Sequence, residues 1–298
     1  MDFLVEPFAL GFQQRALMAG ALAGLMSAVV GTWLVLRGMS FFGDAFVHGV
    51  VPGIAAAVVF DVNPLIGAAL AAGVMVVMIE AVHRQTLLSE DTAIGLLFVG
   101  MLALGVVIIS RLDSFSGSLT SILFGDALGV TAADLIGQAI LAAVIIGAAT
   151  LLYRPLLALS FNGDKAQLLG MRPKTAHAAL LVLIAAAVIG SYQSVGTLLV
   201  FGLLVGPPAT ASLLSRTVGT MMLMSAGIAL FSVWLGLTLS YYLDTAGSAT
   251  MAIIPVVLFF LVLSGVKIKR GAHSRATRRK VAGDHSGAGV SAVSNAGK

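Results

Sequence analysis

Long apolar runs, separated by short polar stretches, follow one another along most of this chain. A helix needs about 20 apolar residues to cross the hydrocarbon core of a bilayer, so each run predicts a membrane-spanning helix. Of all residues, 59% are hydrophobic and only 10% are charged, whereas a typical soluble domain carries about 25% charged residues. A core surrounded by water could not hide so much apolar surface. We therefore predict an all-α polytopic membrane protein.

Nine of these runs are candidate spans. They cover residues 16–36, 44–60, 64–82, 92–110, 132–152, 175–192, 195–214, 218–242 and 247–266. The chain thus divides into an N-terminal segment (1–15), a transmembrane domain (16–266) and a C-terminal tail (267–298). The tail is basic and holds many small and polar residues, a composition that predicts disorder. The absence of cysteine excludes disulfide bonds and thiolate metal ligands.

Basic residues near the span ends predict the orientation, because Lys and Arg favour the cytoplasmic side. The 153–174 segment carries Arg154, Lys165, Arg172 and Lys174, and we place it in the cytoplasm. Alternation across nine spans then gives an N-terminus outside and a C-terminus inside. The basic tail falls on the cytoplasmic side, where its charge suits a role in topology and contact with anionic lipid. We expect the lipid bilayer as its partner and no nucleic acid.

Asp44 and His48 are the strongest candidates for chemistry. Ionisable side chains inside a bilayer are costly, so they are functional candidates by default. Residues four apart share one face of a helix, and a carboxylate with an imidazole suits zinc, manganese or iron(II). A homodimer with both pairs facing its two-fold axis would offer four ligands. The alternatives are a mutual hydrogen bond between the two side chains, or Asp44 acting as a helix cap.

Several residues are candidates for a transport pathway or a hinge. Pro52 and Gly53 are expected to interrupt the helix about one turn after His48, and broken helices often flank transport sites.

Pro207 and Pro208 predict either a structural kink or a hinge in a later span, with the hydroxyls of Thr210 and Ser212 satisfying the freed carbonyls. Gln193 is a candidate polar lining residue.

The remaining polar features leave alternatives open. The 153–174 segment is too long for a tight turn and too polar for lipid. Its pattern predicts two short helices around Asn162 and Gly163. The segment is either a surface loop or a docking element for a cytoplasmic partner. Glu80 is expected either to snorkel toward the interface or to pair with Arg84, one turn away. His177 is expected to face the cytoplasmic interface.

No nucleotide-binding P-loop motif occurs in the sequence, nor does any soluble domain large enough for catalysis. We therefore predict that the chain is not an enzyme and that any ATP hydrolysis takes place on a separate subunit.

Four segments in order resemble the manganese/zinc/iron permease family of bacterial ABC importers. The family's G-D-x-x-x-H-x-x-x-P-G signature is similar to residues 34–57, which read LVLRGMSFFGDAFVHGVVPGIAAA. The other matching segments are residues 90–110, 119–130 and 191–214. The resemblance spans about residues 5–266. The common serine before the histidine is Val47 here, and a second proline, Pro208, stands in the motif of the seventh span.

The resemblance implies a type II ABC importer-like permease in the bacterial plasma membrane, built as a homodimer. Its implied partners are cytoplasmic ATPase subunits and an extracytoplasmic metal-binding protein. Asp44 and His48 match the aspartate and histidine that the family associates with the metal pathway. The 153–174 segment corresponds to the family's ATPase-coupling loop, with Asn162, Gly163, Asp164, Leu168 and Gly170 as candidate contacts.

The predicted function is therefore import of a divalent transition metal, with zinc as the first expectation and manganese or iron as alternatives. The ion would bind transiently, and no permanent cofactor is expected. Two other functions remain open. One is a stand-alone transporter or channel driven by an ion gradient, and the other is an ABC permease for a metal chelate.

Overall fold

The computed structural model describes residues 6–85, 90–110, 129–161, 167 and 173–268. Within these ranges the chain is helical and contains no strand. A short 3-10 turn at Glu6–Ala9 precedes the first helix. The helices are α1 Gly11–Leu36, α2 Ser40–Gly49, α3 Val51–Val59, α4 Pro64–Gln85, α5 Glu90–Ile109, α6 Ala132–Leu151, α7 Tyr153–Phe161, α8 Pro173–Val195, α9 Thr197–Leu214, α10 Val218–Leu243 and α11 Gly247–Ile268. The prediction of an all-α chain is confirmed for the described residues.

Seven stretches of these helices are long and apolar enough to cross a membrane. They lie in α1, in α2 and α3 taken together (Phe41–Val59), and in α4, α6, α8, α10 and α11. Two further apolar stretches, Thr92–Ile108 in α5 and Leu199–Leu214 in α9, are shorter. Every predicted run therefore lies on a helix, while the count of nine crossings stays a prediction.

Helix α1 occupies the centre of the bundle. It contacts α6, α8, α9 and α10, and it is buried on several sides, with Ala16, Met26, Val30 and Trp33 fully enclosed. A helix that is apolar all round is typical of such a position. α2, α3, α4 and α5 pack against one another beside this centre, so the helix that carries Asp44 and His48 belongs to the second group.

Glycines four residues apart allow two of the helix pairs to approach closely. On α1, Gly20 and Gly24 face Val233 and Ala229 of α10. On α9, Gly202 and Gly206 face Ala252 and Pro255 of α11 in the same way. Small residues at this spacing bring backbones together where the hydrophobic effect does not drive association.

The interruption between α2 and α3 falls earlier than predicted. α2 ends at Gly49 and α3 begins at Val51, with Pro52 in its first turn. Proline lacks a backbone N–H and is tolerated at the start of a helix, where that group has no intrahelical partner. The break therefore lies at Val50, before Pro52 and Gly53, and the Ile54 amide donates to the Val50 carbonyl at 3.1 Å as the first hydrogen bond of α3.

Candidate functional site

Helix α2 holds Asp44 and His48 on one face. The His48 Nε2 atom lies 3.5 Å from Asp44 Oδ1, and the two side chains are 31% and 32% exposed. Phe41 lies on the same face, one turn before Asp44, and is also exposed. The opposite face is buried and carries Phe42, Ala45 and Phe46. The burial of one face therefore forces the carboxylate and the imidazole outward together.

Two glycines allow α2 to pack closely against α9 and α4. A side chain at Gly43 would come within 2.7 Å of Leu204 Cδ2 on α9. A side chain at Gly49 would collide with the Met75 sulfur on α4. Because these contacts leave no room for a Cβ, they fix the rotation of α2 about its axis. The direction in which Asp44 and His48 point is fixed with it.

An aromatic ring on α5 limits the rotation of the imidazole. Phe98 packs edge-on against His48, with ring centroids 6.0 Å apart, and against Phe41 at 5.8 Å. Such pairs are worth about 0.5–1.5 kcal/mol beyond the area they bury. The pair on α2 is thus positioned by contacts from α4, α5 and α9.

Chemically, the pair brings together two donor atoms of the kind that bind metal ions. It supplies an oxygen and a nitrogen donor, which suit manganese, iron or zinc. Within the described ranges, no group of three or more His, Cys, Asp or Glu side chains is close enough to hold a metal ion. The described part of the chain thus brings two such donors together at this face, fewer than the coordination shell of a tightly held ion needs.

The candidate pathway and hinge residues lie on three different helices, α3, α8 and α9. Pro52 is buried in the first turn of α3. Gly53 lies against Gly67 of α4, where an added Cβ would collide with the Gly67 carbonyl. This glycine pair allows α3 and α4 to approach closely. Gln193 lies on α8, two residues before its end, and its side chain is outside the described part. The roles of these residues in a pathway stay predictions.

Pro207 and Pro208 lie inside α9, and both are buried. Proline at these positions frees the carbonyls of Leu203 and Leu204. The expectation that nearby hydroxyls satisfy those carbonyls is wrong, since Thr210 donates to Gly206 and Ser212 to Ala209. The Leu204 carbonyl instead approaches Gly31 on α1, where a Cβ would collide with it.

The candidate coupling residues Asn162, Gly163, Asp164, Leu168 and Gly170 lie outside the described residues. The helices on either side are described. α7 ends at Phe161 and α8 begins at Pro173, so the first of the two predicted short helices in the 153–174 segment is confirmed.

A polar cluster that sequence reasoning missed joins three helix ends. Arg37, at the end of α1, donates from Nη1 to His177 Nδ1 on α8 at 2.8 Å. Glu80 Oε2 on α4 lies 3.9 Å from His177 Nε2. Spacing had suggested Arg84 as the partner of Glu80, but that side chain is outside the described part. Because Arg37 and His177 are 140 positions apart, no local pattern could have paired them.

A cavity of about 810 Å³ lies elsewhere, between α4, α6 and α8. Its walls are apolar apart from Asp134 and Gln138, and it includes neither Asp44 nor His48. Asp134 is engaged by the Thr131 hydroxyl in a capping box that begins α6.

Residues 9–265 match the ABC 3 transport family. The chain is 34% identical over 261 residues to the "Manganese transport system membrane protein MntC" of Listeria monocytogenes, covering 88% of this chain and 93% of that protein. It is 31% identical to the "Probable iron transport system membrane protein" of Haemophilus influenzae, with 90% and 98% covered. Among solved structures, it is similar to a chain of "PsaBC from Streptococcus pneumoniae in complex with Fab", with a TM-score of 0.77, 30% identity, and 88% and 94% covered.

These similarities extend over nearly the whole membrane domain, and the relatives are membrane components of transport systems. They agree with the signature on α2 and with the apolar helices of the fold. The chain belongs to the ABC 3 transport family, as a multi-pass permease of a metal ABC importer in the bacterial plasma membrane.

Proposed function

We propose that this chain is the membrane subunit of an ATP-driven importer for free divalent manganese or iron ions. The observation that carries the proposal is the Asp44–His48 pair, which lies on a partly exposed face of α2 within a span of apolar residues. The names of the relatives refer to manganese and iron, and one in Yersinia pestis to chelated iron. Zinc suits the same donors, but these names lend it no support.

The proposed transport unit is a homodimer. One protomer supplies one oxygen and one nitrogen donor at the exposed face of α2, so two copies around a two-fold axis would supply two of each. Waters would complete the shell during passage. Such a site binds strongly enough to admit an ion and weakly enough to release it.

The proposed partners are two cytoplasmic ATPase subunits and an extracytoplasmic metal-binding protein. In the proposed orientation, with the N-terminus outside, the 153–174 segment faces the ATPases. The binding protein delivers the ion at the outer face. Closure of the ATPases, transmitted through the 153–174 segment, alternates access to the α2 face.

The test is uptake of manganese, iron and zinc by the complete complex in proteoliposomes. Asp44→Asn and His48→Gln are expected to lower uptake by at least about tenfold, since even residues that only support metal ligands contribute 10–100-fold. The matched control is Asp61→Asn. Asp61 is an exposed carboxylate in the α3–α4 turn, at a positive φ that asparagine also adopts. Wild-type uptake by both pair variants would contradict the proposed role.

The two other functions give different results in the same vesicles. A secondary transporter or channel would move metal without the ATPase and would follow an imposed ion gradient. A chelate permease would import the metal only with its chelator. The donor atoms at Asp44 and His48 favour the free ion, because a chelated metal has its coordination positions already occupied.

A further inference from the structure

The last turn of α1 is contacted by both helices that bracket residues 162–172. Trp33 is fully buried and packs edge-to-face on Tyr153 at the start of α7, with ring centroids 5.4 Å apart and planes at 71°. Arg37, the residue that follows α1, donates a hydrogen bond to His177, one turn into α8. The two helices that flank residues 162–172 therefore both contact the C-terminal end of α1.

The Arg37 contact fixes the protonation pattern of His177. Arginine carries only donors, so the His177 Nδ1 atom at 2.8 Å must accept. The neutral ring then carries its proton on Nε2, which faces Glu80 Oε2 at 3.9 Å. The imidazole thus lies between the guanidinium, to which it is hydrogen-bonded, and a nearby carboxylate. His177 is 5% exposed and Glu80 16%, so the cluster is shielded and is costly to take apart.

A short turn connects this cluster to the candidate metal pair. α1 ends at Leu36, Gly38 adopts a φ of +70°, and α2 begins at Ser40. Asp44 follows one turn into α2. A tilt of the last turn of α1 therefore moves the start of α2. α8 also packs directly on α2, which adds a second route between the same two places.

We propose that Trp33, Arg37 and His177 form the coupling joint of the permease, which transmits movement of the 153–174 segment to the Asp44–His48 pair. Tyr153 and Glu80 position this joint from α7 and α4. The inference rests on the proposed function and adds the residues through which ATP hydrolysis opens the metal site. None of the five side chains belongs to the proposed Asp44–His48 metal pair, so they are positioning residues.

The decisive quantity is the number of ATP molecules hydrolysed per metal ion imported. A variant that merely destabilises the permease reduces hydrolysis and uptake together, because fewer complexes assemble. A broken joint lets hydrolysis continue while uptake falls. Substitutions along coupling networks have sizeable effects, so the ratio is expected to rise by about threefold or more.

Two substitutions of His177 separate its two contacts. The His177→Asn amide oxygen lies near the position of Nδ1 and can accept from Arg37. The His177→Gln amide lies near the position of Nε2 and reaches only toward Glu80. We expect a larger rise in the ratio for His177→Gln than for His177→Asn, measured on the complete complex with manganese. If both variants hydrolysed the wild-type number of ATP molecules per imported ion, the proposal would be overturned.

A second pair of variants tests the contact between Tyr153 on α7 and Trp33 on α1. Tyr153→Ala removes the ring that packs on Trp33, whereas Tyr153→Phe retains it. The ratio should rise for Tyr153→Ala and stay at the wild-type value for Tyr153→Phe. If neither His177 variant assembles, this pair decides, and equal ratios for the two Tyr153 variants overturn the proposal. A wild-type complex that imports no metal would instead refute the proposed function, so the two failures are distinguishable.

Discussion

At the scale of single residues, the Asp44–His48 pair shows what sequence spacing alone can predict. Positions four apart on a helix share a face whatever the tertiary structure does, and the 3.5 Å between His48 Nε2 and Asp44 Oδ1 agrees with that expectation. Spacing could not show which way the face turns. That depends on Gly43 and Gly49, whose missing side chains let α2 lie against Leu204 and Met75.

Phe98 provides a prediction at this scale. Phe98→Leu keeps an apolar side chain but removes the ring edge that packs on His48. With the imidazole freer to rotate, the apparent KM for the metal should rise by about three- to tenfold, in keeping with the worth of an aromatic pair. The measurement is the concentration dependence of uptake in proteoliposomes.

Phe60→Leu is the matched control, because Phe60 is 76% exposed and lies at the end of α3, away from the pair. A KM that rises equally in both variants would show that Phe98 does not orient His48.

At the scale of elements, close helix contacts explain both the success and the limits of the sequence patterns. Gly20 with Gly24, and Gly202 with Gly206, have the spacing that indicates close helix packing, and each pair meets a neighbouring helix. Gly53 follows Pro52 and resembled part of a helix break. The structure puts it instead against Gly67 of α4, a contact that no local pattern indicates because it depends on how α3 and α4 cross.

Gly53→Ala should therefore destabilise the protein. The added Cβ would collide with the Gly67 backbone, and overpacking of this kind costs about 1–3 kcal/mol. We expect a lower thermal unfolding midpoint in detergent. Gly73→Ala is the control on the neighbouring helix, since its Cβ meets nothing within 4 Å and alanine favours a helix over glycine. An unchanged midpoint for Gly53→Ala would mean that the two helices separate readily.

At the scale of the whole molecule, the proposed dimer places the α2 faces of two copies close together. The chain has no cysteine, so a single introduced cysteine reports on one position. Phe41 is 42% exposed on the face that carries Asp44 and His48. Phe41→Cys should therefore form a dimer with a short bifunctional thiol reagent in native membranes, as judged by electrophoresis.

Leu223→Cys is the control for this cross-link. Leu223 is more exposed, at 76%, and lies on α10, which packs on α1 and α9. Cross-linking at Leu223 and not at Phe41 would place the dimer interface on another face and would leave the four-ligand site without support.

The tail offers a further test at the same scale. The last described helix, α11, ends at Ile268. Removal of residues 271–298 leaves Lys267, Lys269 and Arg270 directly after the last apolar run of the sequence, enough positive charge to keep that end in the cytoplasm. The truncated complex is expected to insert, assemble and transport as the full chain does. Loss of uptake with normal assembly would contradict the prediction that the tail is a disordered addition.

The sequence by itself determined the helical class, the membrane location and the family, because these depend on apolar run length, local spacing and ordered motifs. It also placed Asp44 and His48 on one face. Only the tertiary structure decided that α1 is central, that the α2 break falls at Val50, and that Arg37, Glu80 and His177 meet. Those features depend on contacts between helices far apart in the chain, where side-chain shape and burial, rather than local periodicity, select the partners.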